Sequence, residues 1–181
     1  MELYTERLHL RPWKETDAES LFEYAKDPRV GPAAGWPVHT GVENSREIIR
    51  TVLSHKRTWA ICLREDDRAI GSIGLYIGKE SPLCQNEAEG EIGYWIGVPF
   101  WGQGLVPEAV RELQRYAFEE LGLQRLWCGY FHGNEKSKRA QEKCGFVYHH
   151  DRPITGHPVA GDCLEHVTML SKEEWAAMAV D

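Results

Sequence analysis

The chain has 181 residues, which is a typical length for one domain, so we expect a single domain spanning residues 1–181. Hydrophobic residues make up 42% and charged residues 27%, which argues against wholesale disorder and against a coiled coil. The net charge is −7, no run of five basic residues occurs, and no apolar run approaches the roughly 18 residues of a membrane span. We therefore expect neither nucleic acid nor membrane as a partner.

Cysteine usage and the first residues indicate the compartment. The five cysteines are widely spaced and form no Cys-x-x-Cys pair, so neither a disulfide framework nor a structural zinc site is indicated. The first seven residues are too charged for a signal peptide. We expect a cytoplasmic protein with inert thiols.

The first half of the chain predicts two helices and four strands. Residues 8–11 alternate as a strand does, and Thr16 with Glu19 predicts a capping box that opens a helix ended by Pro28. A loop rich in Gly and Pro follows at 28–41, and it contains Trp36, which lines a binding pocket or packs within the loop. A helix from about 43 to 55 precedes a hairpin of strands 58–63 and 69–77, and then a strand at 91–96.

The second half predicts a strand–helix–strand crossover and a closing hairpin. Apolar residues recur at spacings of three and four from Pro107 to Leu121, and Gly122 ends that helix. A strand at 125–131, a helix at 134–143 and strands at 146–148 and 164–170 follow, and Ser171 caps a terminal helix. This order predicts a mixed α/β fold.

Two glycines lie in the turn between the strand at 91–96 and the following helix. Gly102 and Gly104 allow a ligand to approach the main chain closely, and a helix N-terminus adds free N–H donors and partial positive charge. Together they are typical of a phosphate or pyrophosphate site, although a plain tight turn remains open. Gly-Lys-Ser/Thr is absent, so this is not a P-loop, and Pro107 replaces the third glycine of a dinucleotide-binding fingerprint.

Four motifs, spread over residues 5–175, resemble one family in order and spacing. They are Thr5-Glu6-Arg7-Leu8-x-Leu10-Arg11, Pro99-Phe100-Trp101-Gly102-Gln103-Gly104-Leu105-x-x-Glu108-Ala109, Asn134-x-x-Ser137 with Cys144-Gly145-Phe146, and Met169-Leu170-Ser171-x-Glu173-Glu174-Trp175. This pattern resembles the GCN5-related N-acetyltransferases (GNAT), and especially the branch of the ribosomal-protein N-terminal acetyltransferases.

The resemblance implies a fold and a cofactor site. The fold would be a mixed sheet of six or seven strands, largely antiparallel with a central parallel pair, flanked by four or five helices. Acetyl-CoA would be the co-substrate, with its pantetheine arm paired to the backbone of Ile96, Gly97 and Val98. The other predicted contacts are the amides of Trp101, Gly102, Gln103, Gly104, Leu105 and Val106 around the pyrophosphate, and Asn134 and Ser137 on the facing helix.

The implied reaction is direct attack of a primary amine on the thioester, for which a base and a donor to the leaving thiolate are needed. Glu91 is the predicted base, its alternative role being a solvated or ion-paired strand glutamate, and Glu89 is the second candidate. The family often places a tyrosine acid where this chain has Gln141, so Ser137, Tyr130 or water would substitute. Pro99 is a second departure and removes one amide from the start of the loop.

The acceptor is open from sequence: a protein N-terminal amine or a small-molecule amine, bound by a monomer or a homodimer. His149, His150, His157 and His166 show no metal-ligand spacing, so no metal is expected. Two other functions stay open, namely an acyl-CoA-binding sensor or scaffold without turnover and an enzyme that binds a mononucleotide at the glycine turn.

Overall fold

The computed structural model describes residues 1–178, which form one eight-stranded sheet with helices on both faces. The strands, in chain order, are β1 (Leu3–Tyr4), β2 (Leu8–Arg11), β3 (Thr58–Leu63), β4 (Ala69–Ile77), β5 (Glu89–Ile96), β6 (Arg125–Phe131), β7 (Val147–His157) and β8 (Gly161–Ser171). The helices are α1 (Ala18–Ala25), α2 (Gly31–Ala34), α3 (Val42–Thr51), α4 (Leu105–Arg115), α5 (Glu135–Lys143) and α6 (Lys172–Met178).

The sheet runs in the order β1-β2-β3-β4-β5-β6-β8-β7, and only β5 and β6 pair in parallel among the described strands. This confirms the predicted mixed α/β fold, largely antiparallel with a central parallel pair. The structure adds one strand and one helix to the prediction. The strand is β1, with two residues, and the helix is α2, a single turn inside the segment 28–41 that was predicted as a loop.

Helix α4 makes the crossover between β5 and β6. Its apolar stripe, which includes Leu105, Ala109, Val110 and Leu113, is buried against the sheet in the largest hydrophobic cluster. The predicted helix 107–121 begins two residues earlier, at Leu105, and gives way after Arg115 to a π-helical turn at Tyr116–Glu120. The crossover thus brings the glycine turn to the C-terminal end of β5.

The predicted cap of the first helix is wrong. Residues Glu15–Asp17 form a 3-10 turn, and the carboxylate of Asp17 accepts from the amide of Lys14 at 2.8 Å. Asp17 also forms an ion pair with buried Arg11 at 2.8 Å. Asp17, and not the predicted Thr16, is the residue that directly precedes α1. The second predicted helix, α3, ends at Thr51, four residues before the predicted boundary near 55.

Strands β7 and β8 are much longer than predicted. The prediction placed strands at 146–148 and 164–170, whereas the hairpin spans residues 147–157 and 161–171. Strand β7 lies at the edge of the sheet and most of its residues are exposed, so its sequence lacks the apolar alternation that marks a half-buried strand. The end of the hairpin extends beyond the last residue pair of β6 and β8, Phe131 with Glu165, and lines one side of the central cleft.

Candidate active site

A cleft opens where the parallel pair of strands separates. Only three residues of each strand are paired: Glu89–Glu91 of β5 lie beside Arg125–Trp127 of β6. Beyond these residues the two strands diverge. The resulting cleft has a volume of about 1220 Å³. It is lined by both strands, α2, the N-terminal end of α4, α5 and the β8 end of the hairpin.

The backbone of β5 faces this cleft at alternate residues. The amide of Gly97 donates to the carbonyl oxygen of Ile70 across the β4–β5 pair at 2.8 Å. By strand alternation, the N–H and C=O groups of Tyr94 and Ile96 then point the other way, toward β6. The carbonyl of Ile96 accepts from Trp101 Nε1 at 3.0 Å. Of the predicted backbone contacts, Ile96 faces the cleft, whereas the N–H of Gly97 is used within the sheet.

The glycine turn has the geometry of an anion site. Gly102 and Gly104 adopt left-handed φ angles of 75° and 76°, which favour glycine. Within the described chain, no protein acceptor is found for the amides of Gly102, Gln103 and Gly104, and those of Leu105 and Val106 lie in the first turn of α4. The amide of Trp101, also predicted to bind the ligand, instead donates to the carbonyl of Val98 at 3.1 Å.

The N-terminal segment clamps this turn in place. The carboxylate of Glu108, in the first turn of α4, accepts from the Thr5 hydroxyl at 2.5 Å, from the Arg7 amide at 2.8 Å and from Arg7 Nε at 2.7 Å. Arg7 Nη1 also donates to the carbonyl of Gln103 at 3.0 Å. Because that carbonyl is turned toward Arg7, the neighbouring amides stay available on the other side of the turn.

Charged side chains of both signs line the cleft. Cations lie along α5 and beside α2, and they are Arg29, Lys136, Arg139 and Lys143. Lys136 Nζ lies 3.9 Å from the centroid of the Trp101 ring, a cation–π contact at the mouth. Carboxylates lie on β5 and β8, and they are Glu91, Asp162 and Glu165. The four cations suit an anionic ligand, and Glu91 and Asp162 add negative charge on β5 and β8, whereas Glu165 is already paired with Arg152 Nε at 2.7 Å.

Glu91 lines the cleft and is held by one defined partner. Its Oε2 accepts from the Ser81 hydroxyl at 2.5 Å. Burial raises the pKa of the Glu91 carboxyl, and the nearby charge of Glu165 raises it further. A carboxylate whose pKa is raised in this way is a stronger base than an ordinary glutamate, as a general base requires.

Glu89 occupies a different environment and does not line the cleft. It is 4% exposed, and its Oε2 accepts from Trp127 Nε1 at 2.8 Å and from the amide of Gln85 at 3.0 Å. Its Oε1 accepts from Arg125 Nη1 at 3.1 Å. These bonds use the carboxylate to join β5, β6 and the preceding loop, which leaves Glu91 as the base candidate.

The first turn of α5 places both predicted residues at the cleft. Asn134 caps the helix, since its Oδ1 accepts from the amide of Ser137 at 3.2 Å, and its Nδ2 remains as a donor. The Ser137 hydroxyl lies 2.8 Å from the hydroxyl of Tyr94 and accepts from Gln141 Nε2 at 3.2 Å. Gln141 itself is buried, so it does not occupy the cleft as the family's tyrosine would.

Two other sequence candidates take defined places. Trp36 packs beneath α2 against Trp95, with ring centroids 5.4 Å apart, and is not among the residues lining the cleft, which favours loop packing over pocket lining. Tyr130 lines the cleft, as the prediction requires of a substitute donor. Sequence reasoning did not single out Arg29, Tyr94 or Glu165 as cleft residues. Of these three residues, only Tyr94 could have been placed from the sequence, because strand alternation puts it on the same face of β5 as Ile92 and Ile96.

Residues 1–178 show neither a metal-ligand cluster nor a membrane-spanning helix. No group of three or more His, Cys, Asp and Glu side chains there could hold a metal ion. Likewise, none of the helices described for the chain is long and apolar enough to cross a membrane.

Comparison with known proteins gives consistent matches. The sequence model of the Acetyltransferase (GNAT) domain matches residues 7–147. The uncharacterized N-acetyltransferase p20 of Bacillus licheniformis is 35% identical over 129 residues, which cover 68% of this chain and 70% of p20. The FsC-acetyl coenzyme A-N(2)-transacetylase of Aspergillus fumigatus is 33% identical over 97% of this chain and 78% of that protein. A GNAT-family acetyltransferase of Bacillus anthracis superposes with a TM-score of 0.82 at 22% identity, over 96% of this chain and 99% of that one.

Proposed function

This chain belongs to the GNAT family of acetyltransferases, enzymes that transfer an acyl group from acetyl-CoA to an amine, and we propose that it acetylates a primary amine by direct attack within a ternary complex. One observation carries the proposal. The cleft joins free amides of the glycine turn at one end to the carboxylate of Glu91 at the other, so a thioester and an amine can meet between them.

The residues at the turn fit a diphosphate. The amides from Gly102 to Val106 supply donors at the N-terminus of α4, and the cations of α5 lie on the same side of the cleft. The pantetheine arm would extend along β5, where the N–H of Ile96 faces the cleft while its carbonyl is bonded to Trp101, and Val98 follows. Asn134 Nδ2 would donate to it from α5. Bound acetyl-CoA supplies the thioester carbon that the amine attacks.

Glu91 is the proposed base. A primary amine with a pKa near 8–10 is mostly protonated at pH 7, so a carboxylate that takes its proton, directly or through water, raises the reactive fraction. Burial raises the pKa of Glu91 and so brings its basicity closer to that of the amine. The proton then passes to solvent, and the C–N bond forms as the C–S bond breaks.

Ser137 is the proposed donor to the departing thiolate. Its hydroxyl lines the cleft on α5, opposite the β5 backbone that would hold the thioester. A hydrogen bond from this hydroxyl would stabilise the negative charge that develops on sulfur. This role compensates for the tyrosine that Gln141 replaces, since a thiolate with a pKa near 8–10 needs no strong acid.

The acceptor is an amine that reaches the cleft on the side of Glu91 and Glu165. The charge of Glu91 favours a cationic molecule, since Glu165 is already paired with Arg152, and both a protein N-terminus and a small amine satisfy that condition. The chain would act as a monomer or a homodimer.

A panel of amines tests the proposal. Purified protein is mixed with acetyl-CoA and, in turn, a polyamine, amino acids, an aminoglycoside and peptides with free N-termini, while release of free thiol is followed. Acetylation of at least one amine, confirmed by mass, is expected. Tight acetyl-CoA binding without transfer to any amine would favour a sensor or scaffold, and thermal stabilisation by ATP or NAD but not by acetyl-CoA would favour a mononucleotide enzyme.

A further inference from the structure

Tyr94 and Gln141 surround the Ser137 hydroxyl on its protein side. Tyr94 rises from β5, and its hydroxyl lies 2.8 Å from Ser137 Oγ and 3.2 Å from the Ser137 carbonyl oxygen. Gln141, one turn along α5, donates to the same Oγ at 3.2 Å. Ser137 therefore has two polar neighbours from two different elements before any ligand enters the cleft.

The orientation of the Gln141 amide is fixed by its other partners. Its Nε2 also donates to the carbonyl oxygen of Gly129 at 3.0 Å, and its Oε1 accepts from the Thr168 hydroxyl at 2.7 Å. A flipped amide would place its oxygen against the Gly129 carbonyl, so the NH₂ group must face Ser137. Gln141 thus fills one lone pair of Ser137 Oγ and cannot accept the Ser137 proton.

Tyr94 can fill the second lone pair. Of the two acceptors near its hydroxyl, Ser137 Oγ is the closer by 0.4 Å, from the distances of 2.8 and 3.2 Å. A serine hydroxyl has one hydrogen and two lone pairs. When Tyr94 and Gln141 donate to both lone pairs, the single Ser137 hydrogen is left to point into the cleft.

We propose that Tyr94, acting with Gln141, is a positioning residue that turns the Ser137 hydrogen toward the sulfur of the bound thioester. The proposal rests on the acetyl transfer argued above. Burial raises the pKa of Tyr94, so its phenol stays protonated, and remains a donor, across the pH range in which the enzyme works.

The step balances without a further reactant. The amine nitrogen forms a bond to the thioester carbon and gives its proton to Glu91, the C–S bond breaks, and its electron pair stays on sulfur. The Ser137 hydrogen bonds to that sulfur without leaving its oxygen. The thiolate takes a proton from water after release. Donation from Tyr94 and Gln141 makes the Ser137 hydroxyl a better donor, because hydrogen bonds in a chain strengthen one another.

Single-turnover rates of four proteins test this inference: the unaltered enzyme, Tyr94→Phe, Ser137→Ala and the double variant. Each is measured with acetyl-CoA and with its selenium analogue, whose leaving selenol is a stronger acid than the thiol and needs less stabilisation. Loss of one hydrogen bond to a polar group predicts a rate about five- to tenfold lower for Tyr94→Phe with acetyl-CoA. With the selenoester the loss should shrink to less than about twofold, and Tyr94→Phe should add nothing to Ser137→Ala.

A matched variant controls for loss of a phenol in the protein interior. Tyr116 lies in the hydrophobic core against Trp59, outside the cleft, so Tyr116→Phe should leave the rates with both donors unchanged. Equal losses with thioester and selenoester, or losses that multiply in the double variant, would overturn the positioning role while leaving acetyl transfer intact. An unaltered enzyme that transfers no acetyl group to any amine would overturn the proposed function and this inference together.

Discussion

Replacing Arg7 with alanine should make the glycine turn less ordered and lower its affinity for a diphosphate. The Arg7 side chain donates to Glu108 Oε2 at 2.7 Å and to the Gln103 carbonyl at 3.0 Å. At about 1 kcal/mol per net hydrogen bond, reduced because the side chain is 46% exposed, the two contribute about 1–1.5 kcal/mol to the observed shape of the turn. If that shape is needed for binding, the Kd for acetyl-CoA should rise about five- to tenfold.

Calorimetric titration with two ligands measures this effect. Acetyl-CoA carries the diphosphate, whereas acetyl-pantetheine lacks it and should bind Arg7→Ala as it binds the unaltered protein. Arg64→Ala is the matched control, because Arg64 donates to the carbonyl of Thr5 in the same N-terminal segment at 3.0 Å and forms no hydrogen bond with the described residues of the turn. An equal loss of affinity for both ligands, or no loss for acetyl-CoA, would show that the clamp does not shape a diphosphate site.

Three further variants test the proposed roles one by one. Glu91→Gln should lower turnover at pH 7 by about 100-fold, and turnover should recover above about pH 9, where the amine is already neutral. Because burial raises the Glu91 pKa, the rate of the unaltered enzyme should fall as the pH drops through the pKa of this carboxyl. A flat pH profile would exclude Glu91 as base. Gly104→Leu should raise the Kd for acetyl-CoA at least about tenfold, whereas Gly122→Leu, in an equally left-handed turn away from the cleft, should not. Asn134→Ser keeps a capping oxygen but loses Nδ2, so a raised Kd for acetyl-CoA with unchanged thermal stability is expected, and an unchanged Kd would remove the contact.

The order of elements was predictable because most of them carry a strong local pattern. The stripe of α4 and the glycine turn before it lie within twenty consecutive residues, so their spacing predicted the crossover helix, while a phosphate site at the turn stayed open against a plain tight turn until the family resemblance was considered. Strand β7 had no such pattern, because an exposed edge strand buries neither face and needs no apolar alternation. The turn α2 was hidden for a related reason, since its residues Gly31–Ala34 stand among prolines and glycines that are typical of loops.

The contacts that shape the site were less predictable because they join distant parts of the chain. Arg7 and Glu108 are 101 residues apart, and the sequence showed each as part of a motif without showing that they meet. Glu89 and Glu91 share a strand face and looked alike, and only the positions of Trp127 and Ser81 separate a structural carboxylate from one that lines the cleft. The role of Gln141 also depends on distant residues. Its amide is held in the interior by Gly129 on β6 and Thr168 on β8, so it cannot take the place of a tyrosine at the cleft.

The three-residue pairing of β5 with β6 leaves the centre of the sheet as an open seam. A thioester ligand lying in that seam would add contacts between the two halves of the sheet, beyond the short ladder, the crossover helix and the hydrogen bonds of Tyr94 with Ser137. Resistance to heat and to proteases would then depend on metabolite supply, with a gain of about 2.7 kcal/mol at a hundredfold excess over Kd.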